Sequence, residues 1–156
     1  MIYLIQTKTN TDYSDKIDTS KSLTDALNLL TTYNTLALDV ETSSLNVINA
    51  DLLMLQIGTD DGDQYIFDMR EMPLDALKSF LEARSRTYVG HNIKFDYNVL
   101  KSRKILLPKV YDTMVADQVI YNGLYDMAYI RKNHRFSLAG VYQHYFKEDI
   151  DKATRH

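Results

Sequence analysis

Cysteine and tryptophan are absent from the sequence of 156 residues, and proline occurs only twice. The lack of cysteine excludes disulfide bonds and thiolate metal sites, and it fits a protein of the reducing cytoplasm. No stretch approaches the roughly 18 consecutive apolar residues that a membrane-spanning helix requires. The first residues, MIYLIQTKTN, show no basic segment followed by a long apolar one. We therefore expect a cytoplasmic protein without a secretory signal and without a membrane partner.

An excess of positive charge is also missing. The formal net charge is −3, with 25% charged and 45% hydrophobic residues. This balance is typical of a globular protein, and it argues against attraction of the whole surface to nucleic acid. A local contact with an anion stays compatible with it, provided that a bound cation neutralises the repulsion. The length predicts one domain, residues 1–156.

Hydrophobic periodicity predicts strands that alternate with helices in the second half of the chain. The predicted strands are IYLI, TLALDV, DLLMLQIGT, DQYIFDM and TYVG. The predicted helices are SLTDALNLLTTY, PLDALKSFLEA, NIKFDYNVLKS, DTMVADQVIYNG and SLAGVYQHYF. This order favours an α/β fold, a mixed sheet of about five strands with helices on both faces. The expected core contains Leu36, Leu38, Leu53, Leu55, Ile57, Val89 and Leu138.

Two helix starts carry polar residues suited to capping. Ser22 with Asp25 forms a predicted capping pair at the N-terminus of the first helix, and Asp112 with Thr113 stands at the start of the helix DTMVADQVIYNG. Side-chain oxygens at such positions accept hydrogen bonds from the unpaired N–H groups of the first helical turn. We therefore interpret Asp112 and Thr113 as capping residues, although their residue types also occur in catalytic sites.

The stretch LALDVETSSL places two carboxylates at the end of a strand that otherwise has the composition of a core strand. Alternate residues of a strand point to the same side, so Asp39 and Glu41 share one face. Two negative charges at that distance repel each other unless a positive species lies between them. This pair is therefore a candidate cation site.

A third carboxylate follows a later strand. The segment YVGHNIKFDYNVLKS leaves a strand at Gly90 and enters a helix that carries Asp96. If the two strands are neighbours, Asp96 lies near Asp39 and Glu41. Hard divalent cations such as Mg²⁺ and Mn²⁺ prefer such oxygen ligands. The sequence thus predicts an oxygen-rich metal site at the ends of two strands.

Three segments in this order resemble a known family. DVETSSL resembles the first motif of the DnaQ-like, or DEDD, 3′→5′ exonucleases, and HNIKFD resembles the second. The segment YDTMVADQVIYNG matches the one that usually follows, and the resemblance extends from about Thr35 to the C-terminus. Within this family, the motifs resemble most those of the proofreading domain of family A DNA polymerases, and ribonuclease D is a close relative. The resemblance implies a ribonuclease H-like fold and two bound divalent metal ions.

The resemblance also implies roles for the three carboxylates. Asp39 would bridge two divalent ions, Mg²⁺ or Mn²⁺, and Glu41 would hold one of them. Asp96 would hold the second ion, directly or through water. The same residues would then be the catalytic ones, since two metal ions activate water and stabilise the leaving oxygen in phosphodiester hydrolysis.

Substrate contacts follow from the resemblance in the same way. Thr42 would offer its backbone N–H to the terminal 3′ hydroxyl, and Leu45 would wedge against the terminal bases or anchor its loop in the core. Asn92 and Phe95 would line the path of the single strand, with Phe95 stacking on a base. His91 stands where the family often has glutamine, so we interpret it as a hydrogen-bonding partner rather than a metal ligand.

This sequence differs from the family pattern at the third motif, which is Tyr-x-x-x-Asp or His-x-x-x-x-Asp in the family. Both spacings occur in HYFKED, from Tyr145 or from His144 to Asp149. In the family, however, a helix that begins Ser-Leu, as SLAGVYQHYF does, is followed by an acidic segment with a lysine, which DIDK matches. The third motif comes about twenty residues after that segment. We therefore interpret HYFKED as the lead-in to a third motif that this chain lacks. On this interpretation the 156-residue chain alone is expected to have little or no activity.

The expected function is 3′→5′ hydrolysis at the 3′ end of single-stranded DNA, as in proofreading during replication, with a DNA polymerase domain in the same chain or in another. Two alternatives stay open. One is RNA trimming of the ribonuclease D kind, and the other is an exonuclease-like module that binds nucleic acid or a partner without cutting. The basic runs KSRKILLPK and RKNHR are either phosphate contacts or ordinary solvated surface.

Overall fold

The computed structural model describes residues 1–6, 19–70 and 72–150. These residues form a mixed α/β structure, and most of the polar connector predicted after the first strand lies outside them. The strands are β1 Ile2–Ile5, β2 Thr19–Ser20, β3 Thr35–Thr42, β4 Leu52–Gly58, β5 Gln64–Asp68, β6 Thr87–Gly90 and β7 Val110–Asp112. The helices are α1 Leu23–Leu30, α2 Asp75–Leu81, α3 Lys94–Ser102, α4 Thr113–Ile120, α5 Met127–Asn133 and α6 Leu138–Phe146.

The strands form one mixed sheet in the order β2-β1-β5-β4-β3-β6-β7. Strand β3 pairs antiparallel with β4 and parallel with β6, and β4 pairs antiparallel with β5. The predicted mixed sheet with helices is confirmed. The two additional strands, β2 and β7, have two and three residues. Strands that short leave no alternation to read in a sequence, which explains why they were not predicted.

Alternating burial along β3 sets the position of the core. Leu36, Leu38 and Val40 are buried, whereas the residues between them are exposed. The buried face continues across β4 with Leu55 and Ile57. Buried side chains of α1, α2 and α3 join the same hydrophobic cluster, among them Ala26, Leu30, Leu77, Phe80, Leu81, Val99 and Leu100. The opposite face of β3 therefore carries the polar residues.

Three residues of the predicted core are not fully buried. Leu53 is half-buried because it is the extra residue of a bulge: Thr42 pairs with Leu52 and Glu41 with Met54. Val89 is half-buried because its neighbour Tyr88 takes the core-facing position of β6. Leu138 is 45% exposed, so the prediction that it belongs to the core was wrong.

The chain divides into two compact units, Met1–Tyr111 and a second that begins at Asp112. The second unit contains α4, α5 and α6. Each of these helices has a side-chain cap, since Asp112, Asp126 and Ser137 accept hydrogen bonds from the first turn that follows. The predicted cap by Asp112 is confirmed, as is the Ser22 cap of α1, which accepts from the N–H of Asp25 at 3.1 Å.

No helix in the described ranges is long and apolar enough to cross a membrane.

One ion pair in the first unit makes folding stability depend on pH. Arg70 donates to both carboxylate oxygens of Asp68, at 2.8 and 2.6 Å. This hydrogen bonding holds the pKa of Asp68 below its usual value. A lowered folded pKa means that the stabilisation is complete above the unfolded pKa, about 3.9, and is lost as the pH falls through the folded pKa.

We expect Asp68→Asn to lower the free energy of unfolding at pH 7 by about 1 kcal/mol or less, since Arg70 is half exposed and screened. The difference from the unmodified chain should shrink as the pH falls toward the lowered pKa. Urea denaturation at neutral pH and at about pH 3, which lies below the usual aspartate pKa, measures the decrease. A difference that is unchanged or larger at pH 3 would contradict this assignment. Asp60→Asn, on an exposed turn, is the matched control.

Candidate active site

Asp39 and Glu41 lie on the exposed face of β3. The sheet register places Gln56 of β4 opposite Asp39 and Met54 opposite Glu41. The two carboxylates therefore share one face at the end of a central strand, as the alternation of β3 predicts.

Asp96 reaches the same strand from helix α3. It lies in the first turn of α3, where the helix dipole favours a negative charge, and it is only 7% exposed. Its Oδ1 accepts a hydrogen bond of 2.9 Å from the backbone N–H of Val40, the residue between the two carboxylates of β3. One hydrogen bond thus joins the second motif to the first across 56 positions of the sequence.

The donor set suits a hard cation, although the side chains are not gathered around one point. Within residues 1–6, 19–70 and 72–150, no group of three or more His, Asp or Glu side chains is close enough to hold a metal ion as it stands. Asp39, Glu41 and Asp96 nevertheless supply oxygen atoms only, which is the chemistry that Mg²⁺ and Mn²⁺ require.

The loop after β3 presents an apolar side chain to solvent. The bulge between Glu41 and Thr42 ends the regular pairing, and the Thr42 hydroxyl donates to the carbonyl of Ser44 at 2.7 Å. Leu45 is 88% exposed, so it does not anchor the loop in the core. Ile48, which the sequence analysis did not single out, is 78% exposed in the same loop.

This loop is held in place by hydrogen bonds at its base. The N–H of Ser43 donates to the carbonyl of Asp51 at 2.9 Å, and the N–H of Asp51 donates back to the Ser43 hydroxyl at 2.8 Å. The guanidinium of Arg103 donates to the carbonyls of Val47 and Ala50. Arg103 belongs to the basic run KSRKILLPK, so this member of the run supports the loop rather than lying free in solvent.

The residues before Asp96 form the turn from β6 into α3. His91 is half-buried, and Asn92 is exposed with a left-handed backbone, φ 59°. Phe95 is half-buried and packs against the hydrophobic cluster of the first unit. The available ring surface for stacking on a base is therefore limited to the part of Phe95 that the core leaves uncovered.

The HYFKED residues take part in contacts inside the second unit. Nε2 of His144 lies 2.8 Å from the hydroxyl of Tyr121, and Tyr145 donates to Asp117 at 2.9 Å. This hydrogen bond to Asp117 raises the pKa of Tyr145 to about 12. Asp149 accepts from the amide of Gln143 at 3.2 Å. That Asp149 is not a metal ligand stays a prediction.

Arg135 lies in a different environment from the one that the sequence predicts. It belongs to the basic run RKNHR, but it is only 5% exposed and pairs with buried Asp117 at 2.7 Å. Its guanidinium also lies over the rings of Tyr121 and Tyr125, at 4.8 and 5.4 Å from their centroids. The interpretation of Arg135 as ordinary solvated surface was therefore wrong. No local sequence signal marks an arginine whose partner lies 18 positions away.

Comparison with known proteins gives the same family that the motifs predict. The family model described as 3′-5′ exonuclease matches residues 15–155. No curated protein matches the sequence. Solved structures are similar at the level of the fold, and all three described next are less than 25% identical to this chain.

Brucella melitensis NrnC with bound Mg²⁺ is 21% identical with a TM-score of 0.63, over 97% of this chain and 64% of that one. Escherichia coli RNase D, described as an exoribonuclease involved in structured RNA processing, is 20% identical with a TM-score of 0.63, over 83% and 32%. The POL domain of Pol1 from M. smegmatis, in complex with DNA primer-template and dNTP, is 18% identical with a TM-score of 0.65, over 95% and 23%.

This chain thus spans less than two thirds of each of these structures. Their likeness confirms the α/β fold of the ribonuclease H-like kind. The match of the family model is independent of the structures and covers nearly the whole sequence, including both carboxylate motifs. This chain belongs to the 3′-5′ exonuclease family.

Proposed function

We propose that Asp39, Glu41 and Asp96 hold two divalent cations, Mg²⁺ or Mn²⁺, and that the site hydrolyses the phosphodiester bond at the 3′ end of single-stranded DNA. The observation that carries this proposal is the hydrogen bond that Asp96 accepts from the backbone N–H of Val40, the residue between Asp39 and Glu41. The family match over residues 15–155 supports one exonuclease domain that includes both compact units.

The bound cations would supply an activated water and a counter-charge for the leaving 3′ oxygen. The chain's own part is to position them. Asp96 is held by Val40, so its orientation is set before any cation arrives. Asp39 and Glu41 are exposed, so they would hold the cations and face the substrate from the exposed face of β3. Asp96 would thus be a pre-oriented metal ligand, whereas Asp39 and Glu41 would be adaptable ones.

The substrate end is proposed to lie over the loop that follows β3. The backbone N–H of Thr42 would donate to the terminal 3′ hydroxyl, and the exposed Leu45 would pack against the last bases. Asn92 is exposed and would face the strand, whereas Phe95 and His91 are half-buried and would contact it only with their accessible edges. A single strand is favoured because an apolar wedge requires bases that are not paired.

We propose that the biological role is proofreading in the cytoplasm. The polymerase domain that it serves would lie in the same chain or in another. The structural likeness to the POL domain of Pol1 supports this setting. The likeness to E. coli RNase D makes RNA the competing substrate, so the decisive experiment must present both.

The test uses the 156-residue chain with 5′-labelled single strands of DNA and RNA of the same sequence. In keeping with the little activity expected of this chain alone, we expect at most a slow shortening from the 3′ end with Mg²⁺ or Mn²⁺. It should be faster on DNA than on RNA and should release nucleoside 5′-monophosphates. Asp39→Asn should abolish the ladder, whereas Asp60→Asn on an exposed turn should leave it unchanged.

Faster trimming of RNA would replace the proofreading assignment by RNA processing. Mn²⁺ binding, measured by calorimetry on the same two variants, keeps the test informative if this chain cuts slowly. Binding that is lost in Asp39→Asn and kept in Asp60→Asn supports the metal site. Binding that neither substitution changes, with no ladder, would contradict the proposal.

A further inference from the structure

A polar cleft lies wholly within the second unit, between α5 and α6. It has a volume of about 430 Å³, at the small end of ligand pockets in proteins. Its lining includes Tyr129, Asn133, Arg135, Gln143, His144 and Lys147. In this described part of the chain the lining contains two cationic groups, two amides and an imidazole, and no acidic side chain. Such a surface offers hydrogen-bond donors to an anion.

Arg135 gives the cleft a buried donor that the fold leaves unpaired. One side of its guanidinium is bound by Asp117, at 2.7 Å from Nη1 and 3.5 Å from Nη2. Its Nε–H has no hydrogen-bond partner among the described residues, although the side chain is 95% buried, at 5% exposure. A buried donor without an acceptor is unfavourable, and the arginine that carries it lines the cleft, so its positive charge would attract an anion there.

Tyr129 adds a ring surface to the same cleft. Its ring stacks on Tyr125 with a centroid distance of 5.0 Å and an interplanar angle of 9°, and the residue is 46% exposed. A tyrosine that is supported on one face and open on the other is suited to stacking on a nucleobase. The combination of a stacking ring, a buried arginine and Lys147 matches the base and the phosphate of one nucleotide.

We propose that this cleft binds one phosphate-bearing nucleotide, with the base on Tyr129 and the phosphate near Arg135 and Lys147. The nucleotide comes either from the single strand or from the free nucleoside 5′-monophosphate. The inference deepens the proposed function, because the nucleic acid is its substrate, but binding here requires neither metal nor hydrolysis. Asp149 contacts a lining residue, since it accepts a hydrogen bond from Gln143 at 3.2 Å. Its negative charge would weaken the binding of an anion.

Binding is measured in EDTA, so that no strand is cut. Fluorescence anisotropy measures the binding of a labelled oligothymidylate. Calorimetry measures the binding of thymidine 5′-monophosphate and of inorganic phosphate. Lys147→Glu should weaken strand binding and reduce the salt dependence by about one phosphate contact. Tyr129→Ala should weaken binding of both nucleotide ligands roughly five-fold or more, without affecting inorganic phosphate. Asp149→Asn should strengthen binding.

Lys132→Glu is the matched control, because it makes the same charge change on an exposed position of α5 outside the cleft. Circular dichroism verifies folding, and Gln143→Glu replaces Lys147→Glu if that variant does not fold. Effects on the mononucleotide alone identify the free product as the ligand, and effects on both identify the strand. Equal weakening by Lys147→Glu and Lys132→Glu, or no weakening by either, overturns the proposal whether or not the chain proves to be a nuclease.

Discussion

Asp96→Asn is expected to reduce metal-dependent hydrolysis about a thousand-fold, equivalent to roughly 4 kcal/mol of activation free energy, while the fold persists. The amide keeps an oxygen that can accept from the N–H of Val40, so the hydrogen bond between α3 and β3 is retained. It removes the negative charge that a divalent cation requires. The 5′-labelled ladder measures the first effect, and urea denaturation measures the second.

Asp96→Ala separates the two roles of this side chain. It removes the charge and the acceptor together, which leaves the N–H of Val40 unpaired in a buried position. We therefore expect an additional loss of about 1–3 kcal/mol in the free energy of unfolding. If asparagine and alanine destabilise the chain equally, the hydrogen bond to Val40 contributes nothing to the fold. If Asp96→Asn retains full hydrolysis or full Mn²⁺ binding, Asp96 does not hold a metal ion.

Arg135→Ala is expected to lower the free energy of unfolding by about 3–5 kcal/mol, because it leaves the charge of Asp117 buried without its cation. Asp117 is 2% exposed, and its remaining side-chain partner is the hydroxyl of Tyr145. The substitution also removes a guanidinium that packs over the rings of Tyr121 and Tyr125. Urea denaturation followed by far-ultraviolet circular dichroism measures the loss.

The control for this substitution is Arg131→Ala, at an exposed arginine of α5, which should change stability by less than about 0.5 kcal/mol. The double variant Arg135→Met with Asp117→Leu should cost less than the sum of the single changes, since neither charge is then left unpaired. Hydrogen exchange should show the loss of protection in α4 and α6. Strictly additive effects would mean that the two residues do not interact energetically.

The first carboxylate motif was predictable because its geometry is local. Alternation along β3 places Asp39 and Glu41 on one face, and that rule needs only residues two apart. Helix starts at Ser22 and Asp112 were predictable for the same reason, since a cap acts within one helical turn. The order of the motifs gave the family, and the match over residues 15–155 confirms it.

Contacts between distant residues were not predictable from local patterns. The bulge at Leu53 shifted the alternation of β4, so a residue assigned to the core is half-buried. Arg103 and Arg135 lay in basic runs that are typical of solvated surface, yet one braces a loop and the other is buried against Asp117. Their partners are 56 and 18 positions away along the chain.

The sequence by itself determined the family, the residue types of the candidate metal site and the strand face on which two of them lie. Only the tertiary structure decided that Asp96 meets the strand at Val40, that Leu45 stands in solvent, and that Arg135 forms a buried ion pair. The physical reason is that strand alternation and helix capping depend on neighbours in the chain. Packing of a helix on a strand, and the burial of a charge, depend on which distant surfaces exclude water together.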